Sequence, residues 1–362
     1  MVLGSVAERM PARSAIAESS AELATRPRLI SLTQDRWHSS RGTRLGVLDI
    51  GSNSAQLQIV DLRPGGPPLP AYAVKRPTLL AQEITEEGAI TEAGIDRVVH
   101  ATHAALSAAQ AHAVHELYVF ATAAIRDAIN RDDVLDRVAE ATQIRPECLS
   151  GEDEARLTYH AVHRWYGWSA NRILLIDIGG GSMEIALGRD AEPDLAVSLP
   201  LGAGLLTRTM LPDDPPTRRQ VKAARSYIRA TVREVTDRVR WEGHAALPIG
   251  TSKTFKQLAR LTGSPPQRKG PFVRRDVAVR DLADWVPRLA SMPSTRRDKL
   301  PGVSGARAQQ ILAGALIAQQ TMAALDIPAV EVCPWALREG IMLHYLQETN
   351  NEAPMVGGLH SG

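Results

Sequence analysis

A seven-residue phrase occurs twice in this chain. Leu48-Asp49-Ile50-Gly51-Ser52-Asn53-Ser54 and Ile176-Asp177-Ile178-Gly179-Gly180-Gly181-Ser182 share Asp, Ile, Gly and Ser at matched positions, 128 residues apart. Each phrase closes a short apolar run and opens another, the pattern of a strand, a tight turn and a returning strand. Two such hairpins predict a duplicated domain whose turns face each other across a cleft. Two unrelated glycine-rich hairpins are the alternative reading. A length of 362 residues accommodates two domains of ordinary size.

A glycine-rich turn can aim consecutive backbone N–H groups into one concavity, because small residues let a ligand approach the backbone closely. Gly51, Ser52, Asn53 and Ser54 in one turn, and Gly179, Gly180, Gly181 and Ser182 in the other, are therefore candidate phosphate-binding residues. The neighbouring acids would repel a phosphate, and a divalent cation resolves that conflict. Mg²⁺ accepts one or two carboxylates and completes its shell with water and phosphate oxygens, which makes Asp49, Asp177 and Glu184 the candidate metal ligands. Capping of the turns is their structural alternative. Ser150-Gly151-Glu152-Asp153-Glu154-Ala155-Arg156 places three more acids where a helix starts, between the two phrases.

The rest of the chain reads as alternating strands and helices, hence α/β. Strands are expected at Leu45–Ile50, Ala55–Asp61 and Glu116–Ala121, and helices at Thr91–Ala113, Asp132–Thr142, Ala155–Tyr166, Thr217–Trp241 and Gly305–Leu325. Residues 1–42 show no period that continues into Gly46 and are expected to be a poorly ordered extension, with a short helix near Ala12–Leu23. The expected domains are 43–153, joined by 335–350 packing back, and 154–334, with a flexible tail at 351–362.

A formal charge of +2 argues against the broad positive field of a DNA-coating protein, so no DNA partner is expected. Only Cys148 and Cys333 are present, far apart, which fits a reducing cytoplasm and neither a disulfide framework nor a zinc site. No apolar run has the length of a membrane span, and no membrane partner is expected. Histidine pairs such as His100 with His103 lack an HExxH pattern or an accompanying acid and read as helix-surface or packing residues. Arg268, Lys269, Arg274, Arg275, Arg296, Arg297 and Lys299 could line a path for a long anion, although a solvated basic loop is the simpler reading.

Five ordered motifs carry a family resemblance: Asp49 to Ser54, Ala121-Thr122-Ala123-Ala124-Ile125-Arg126, Ser150 to Arg156, Asp177 to Glu184, and Ala336-Leu337-Arg338-Glu339-Gly340. Over about residues 44–347 the chain resembles the exopolyphosphatase and guanosine pentaphosphate phosphohydrolase family, most closely its short, two-domain actinobacterial type. The resemblance implies duplicated RNase H-like domains of the actin/Hsp70/sugar kinase superfold with an interdomain active-site cleft. It implies Mg²⁺-dependent hydrolysis of terminal phosphoanhydrides, with Mn²⁺ as the alternative metal, Glu154 as general base and Arg126 as a phosphate contact. Inorganic polyphosphate, with short chains favoured, is the expected substrate. Guanosine pentaphosphate, with its link to the stringent response, or another nucleotide is the alternative, and a homodimer is expected by analogy. A third stretch, Gly250-Thr251-Ser252-Lys253, is a candidate phosphate or nucleotide contact, and it carries Lys253 where the family usually has glycine. An ATP-using enzyme of the same superfold and a non-catalytic polyphosphate or alarmone sensor are the remaining alternatives.

Overall fold

The structure is a computed structural model and describes residues 29–32, 43–62, 69–243 and 245–351. Two six-stranded sheets organise it. The first comprises β1 (Ile30–Ser31), β2 (Thr43–Ile50), β3 (Ser54–Leu62), β4 (Pro70–Pro77), β5 (Glu116–Ala121) and β6 (Glu147–Cys148). The second comprises β7 (Ile173–Ile178), β8 (Met183–Gly188), β9 (Leu195–Leu199), β10 (Leu247–Thr251), β11 (Asp276–Ala278) and β12 (Ala329–Val332).

The two sheets share one topology. In the first, β2 pairs antiparallel with β3, and β3 with β4, while β5 and then β6 add in parallel on the other side of β2. In the second, β7 pairs antiparallel with β8, and β8 with β9, while β10 and then β12 add in parallel on the other side of β7. Each half is thus an RNase H-like sheet, and the repeated phrase occupies the same hairpin of each. The short antiparallel strands β1 and β11 are additions at the far edges.

Helices cover both faces of each sheet, so the central strands read as nearly continuous apolar runs. Side chains nonetheless alternate between faces. Leu48 and Ile50 pack with Ile95 and Val98 of the helix Glu92–Ala111, whereas Leu45 and Val47 pack with Ile341 and Met342 of the helix Leu337–Asn351. Asp49 belongs to the second row. In β7, Ile176 and Ile178 face Ile228 and Leu316, while Ile173 and Leu175 face Tyr159 and Val162 of the helix Gly151–Tyr166. Asp177 ends that latter row, and Glu184 shares its face because the two are register partners in the hairpin. The alternation that builds the cores therefore directs these acids toward the helices Gly151–Tyr166 and Leu337–Asn351, which pack on each other through Gly340 and Leu157.

Three expectations meet a different structure. Within the expected extension, Leu29 to Leu32 form an ordered edge: β1 pairs with β5, and Leu29, Ile30 and Leu32 pack on the cores. The rest of that extension, including the helix expected near Ala12–Leu23, lies outside the described residues, as does the tail beyond Asn351. The stretch Gly305–Leu325 is a 3₁₀ turn, Gly305–Arg307, followed by the helix Ile311–Ala324, and the interruption leaves Gln310 at the helix start, where its amide reaches Asn53. A single helix, Gly151–Tyr166, runs through position 153/154. Among the described residues no helix is long and apolar enough to cross a membrane.

A Cβ added at Gly340 would lie 1.9 Å from the Leu157 carbonyl oxygen, backbone against backbone. Gly340→Val should therefore lift the helix Leu337–Asn351 from its seat and cost about 1–3 kcal/mol, an overpacking penalty. Urea unfolding measures it, and an unchanged midpoint would show that this contact is not tight.

Candidate active site

Both repeated turns close in the same way: Gly51 N–H donates to Ser54 O at 3.1 Å, and Gly179 N–H donates to Ser182 O at 2.9 Å. Their tips meet. A Cβ at Gly180 would fall 1.8 Å from Ser52 Oγ, and one at Gly181 would fall 2.8 Å from Ala123 Cβ. The carbonyls of the second turn point away from the tip, since Gly180 O accepts from Gly204 N and Leu205 N at 2.8 and 2.9 Å, in the first turn of the helix Ala203–Met210. On the first turn, Thr78 holds the backbone through its Oγ1, 2.7 Å from Gly51 O. The N–H groups of Ser52, Asn53, Gly180 and Gly181 donate to no acceptor among the described residues. Four free donors at the meeting of two turns make this a candidate anion-binding nest.

The Asn53 side chain takes another part. Its amide exchanges two 3.3 Å hydrogen bonds with Gln310 and donates to Ser52 Oγ at 3.0 Å, so it links the two halves. Gly250 is likewise a packing residue, with the Phe255 ring 2.8 Å from where its Cβ would be. Thr251 donates to Asp177 Oδ2 at 2.8 Å. Ser252 adopts a positive φ of 80°, and Lys253 is exposed on the first turn of the helix Ser252–Leu261.

Beside the turns lie four carboxylates. Burial, then the Asp177 charge, pushes Glu184 up to about 7, offset in part by the Ser182 and Ser198 hydroxyls, the latter donating at 2.8 Å. Burial also raises Asp177 and Asp49, the latter despite Arg338, whose Nη1 lies 3.0 Å from Asp49 Oδ2. Asp49 Oδ1 is buried without a hydrogen-bond partner. Glu154, 7 % exposed, is held well above the usual carboxylate range by burial and then by Glu184, with Arg126 opposing. Several acids that raise one another in a sheltered cleft leave a deficit of positive charge.

Arg126 clamps the base candidate. Its Nη1 donates to Glu154 Oε1 and to Leu149 O, the latter at 3.2 Å, while Nε and Nη2 grip Asp127 at 2.9 and 3.2 Å. So engaged, Arg126 positions Glu154 and keeps one Nη2 hydrogen without an acceptor among the described residues. Glu154 Oε2 has no donor among the described residues.

A second set of cations joins Lys253, a candidate from the sequence, to Lys75 and Arg307, which the sequence did not single out. Burial, then Lys75 and Arg307, lowers the Lys253 ammonium, and burial, then Arg307 and Arg338, lowers Lys75. Among the described residues neither lysine nor Arg307 has a carboxylate partner. Lys75 comes from β4, Lys253 from the helix after β10 and Arg307 from the 3₁₀ turn, three segments with no common motif. Each is tied close to the turns: Thr78, three residues after Lys75, braces Gly51, Thr251 bonds Asp177, and Gln310 bonds Asn53. The basic loop has other duties. Arg275 is buried and donates to the carbonyls of Pro265, Val273, Pro266 and Gly270, Arg297 donates to Leu289 O and pairs with Asp214, and Arg274 pairs with Asp276 and Glu331.

Known proteins resemble this chain in sequence and in fold. The chain is 48% identical over 303 residues to Exopolyphosphatase 1 of Mycobacterium tuberculosis, covering 84% of this chain and 88% of that one. The crystal structure of an Aquifex aeolicus Ppx/GppA family member superposes with a TM-score of 0.69 at 27% identity, covering 85% of this chain and 99% of that one. An exopolyphosphatase structure from Cytophaga hutchinsonii shares the fold, with a TM-score of 0.76 at 23% identity and coverage of 84% and 98%. The Ppx/GppA phosphatase family profile matches residues 64–349, and the chain belongs to that family.

Proposed function

We propose that this protein is an exopolyphosphatase, releasing orthophosphate from the end of inorganic polyphosphate. The observation that carries the reading is the pairing of a four-donor nest with the buried Glu154 beside it, in a chain 48% identical to a mycobacterial Exopolyphosphatase 1. The terminal phosphate sits on the free N–H groups of Ser52, Asn53, Gly180 and Gly181. Their dipoles stabilise the charge that spreads over its oxygens in a loose transition state. Glu154 takes a proton from water as the water oxygen bonds to the terminal phosphorus. The bridging P–O bond breaks, and its oxygen leaves with the shortened chain.

The acids fit a divalent cation. Asp49 has an unpartnered buried oxygen, and Asp177 and Glu184 are cross-strand neighbours on one face. Among the described residues no group of three or more His, Cys, Asp or Glu is placed to hold a metal ion by itself, so these acids form no ready-made site and an ion there would depend on water and substrate oxygens for its shell, as Mg²⁺ does. Asp49, Asp177 and Glu184 would hold Mg²⁺, and Mn²⁺ could replace it. Once bound, the ion neutralises phosphate charge next to these carboxylates.

Lys75, Lys253 and Arg307 supply unpaired positive charge where the rest of the chain must lie. A row of cations suits repeating phosphates better than a planar base, which favours polyphosphate over guanosine pentaphosphate.

Glu154→Gln should keep polyphosphate binding and lose about 10²–10⁴ in kcat, as expected for loss of a general base. Single-turnover phosphate release measures this, and near-normal release would remove Glu154 from the role. A chelator should abolish turnover, and added Mg²⁺ should restore it; full activity without divalent ions would refute the metal assignment. Lys253→Ala should weaken polyphosphate, read as kcat/KM, by about 10-fold or more, the worth of a charged hydrogen bond, and guanosine pentaphosphate by less. Equal losses on both substrates would rule out Lys253 as a selector.

A further inference from the structure

The geometry points to a second phosphate site at Arg208, lying between the two halves behind the turns, through which released orthophosphate departs while the shortened chain stays bound. It rests on the exopolyphosphatase reading for the identity of its ligand.

A cavity of about 110 Å³ is walled by Ser52 from one turn and by Gly180 and Gly181 from the other. By the same measure a single water needs about 10–15 Å³, so the space admits a small oxyanion. Asp127 and a set of small or apolar residues also wall it, and Ala81, Ile84 and Arg208 of its lining are shared with an outer cavity of about 340 Å³. The shared wall makes the two spaces neighbours, with Arg208 at the junction. Both halves contribute, Ala81 and Ile84 from the segment after β4 and Arg208 from the helix Ala203–Met210. Lys75, Lys253 and Arg307 line neither space, so the cations assigned to the chain stand apart from this route.

Arg208 is half-buried, and its side chain has neither a hydrogen-bond acceptor nor a carboxylate partner among the described residues. Burial alone pulls its pKa down, with no acid to oppose the shift. Of the other arginines near the cleft, Arg126 is held by Glu154 and Asp127, Arg338 by Asp49 and Arg297 by Asp214, while Arg307, also without a carboxylate partner, lines neither cavity. The acids of these cavities are engaged as well. Asp127 holds Arg126, Asp214 accepts from Ser294 N at 2.8 Å and pairs with Arg297, and Asp213 accepts from Gln220 at 2.9 Å. An unpaired guanidinium in a mostly apolar wall, at the junction of two cavities beside the turns, is the group there suited to receive a tetrahedral oxyanion. The acids Asp213 and Asp214 at the outer end disfavour its retention, as release demands.

Steady-state inhibition by orthophosphate, with polyphosphate varied, tests the site on the intact chain. Occupation of Arg208 while polyphosphate is bound makes inhibition mixed in the wild type. Arg208→Ala should weaken the component that lowers kcat by about 10-fold or more and leave competition at the turns, with Arg208→Lys intermediate. Purely competitive inhibition of the wild type, or an unchanged pattern in Arg208→Ala, overturns the proposal. Should Arg208→Ala fail to fold, the wild-type pattern and the lysine variant decide. If the wild type does not hydrolyse polyphosphate, the functional reading fails, and ³¹P NMR titration of the resting protein with orthophosphate still judges the site: tighter binding to wild type than to Arg208→Ala supports it, and equal binding overturns it.

Discussion

Ser52 Oγ occupies the space in which a Cβ on Gly180 would lie, at 1.8 Å. That single steric fact sets how closely the two sheets approach. Because Gly180 has no side chain, two turns made by separate folding units share one concavity, and backbone donors from both can reach the same anion. The helix Ala203–Met210 fixes the orientation of the second turn by binding the Gly180 carbonyl from behind, and Thr78 does the same for Gly51 on the first. The amide pair Asn53–Gln310 then spans the junction. A nest assembled this way carries little net charge of its own, and the surrounding side chains determine the sign of the site.

Those side chains divide into two territories. Asp49, Asp177, Glu184 and Glu154 cluster where the inward rows of β2, β7 and β8 meet the helix Gly151–Tyr166, and burial raises all four. Lys75, Lys253 and Arg307 form the other group: Arg307 lowers both lysines after burial, while Asp177 and Asp49 support the Arg307 charge. The buried acids are not at ease alone, since like charges in a sheltered cleft cost free energy that an opposite partner recovers, and the exposed lysines carry positive charge with no carboxylate paired to it among the described residues. A metal beside the acids and a phosphate chain along the cations relieve both at once. The resting site is therefore unfavourable in a way that a metal-bound polyanion is suited to correct, and this gives the proposed hydrolysis its electrostatic basis.

Much of this was legible before any coordinates. The repeated phrase located both turns, and strand alternation carried Asp49, Asp177 and Glu184 to one side of their sheets. The acids Glu152 to Glu154 marked a helix start, but the helix opens at Gly151, ahead of the expected Ala155, with the Ser150 hydroxyl accepting from Asp153 N. What stayed hidden was long-range. Arg338 and Asp49 are 289 residues apart in sequence, and Gln310 and Asn53 are 257 apart, so no local pattern pairs them. Lys75 sits on a mostly exposed strand with no apolar alternation to mark it. Arg275 and Arg297 misled in the opposite direction: they read as surface charge, yet they fold inward to satisfy loop carbonyls. Composition cannot distinguish an arginine that recruits substrate from one that replaces missing backbone hydrogen bonds.

The helix Gly151–Tyr166 belongs to both cores, giving Leu157 to the side of the first sheet and Tyr159 and Val162 to the second. It can follow neither sheet independently. A change in the angle between the sheets must swing it, and Glu154 rides on its opening turn. For the base proposed above, aim and jaw aperture thus become one mechanical variable, because the position of Glu154 is fixed by both sheets at once.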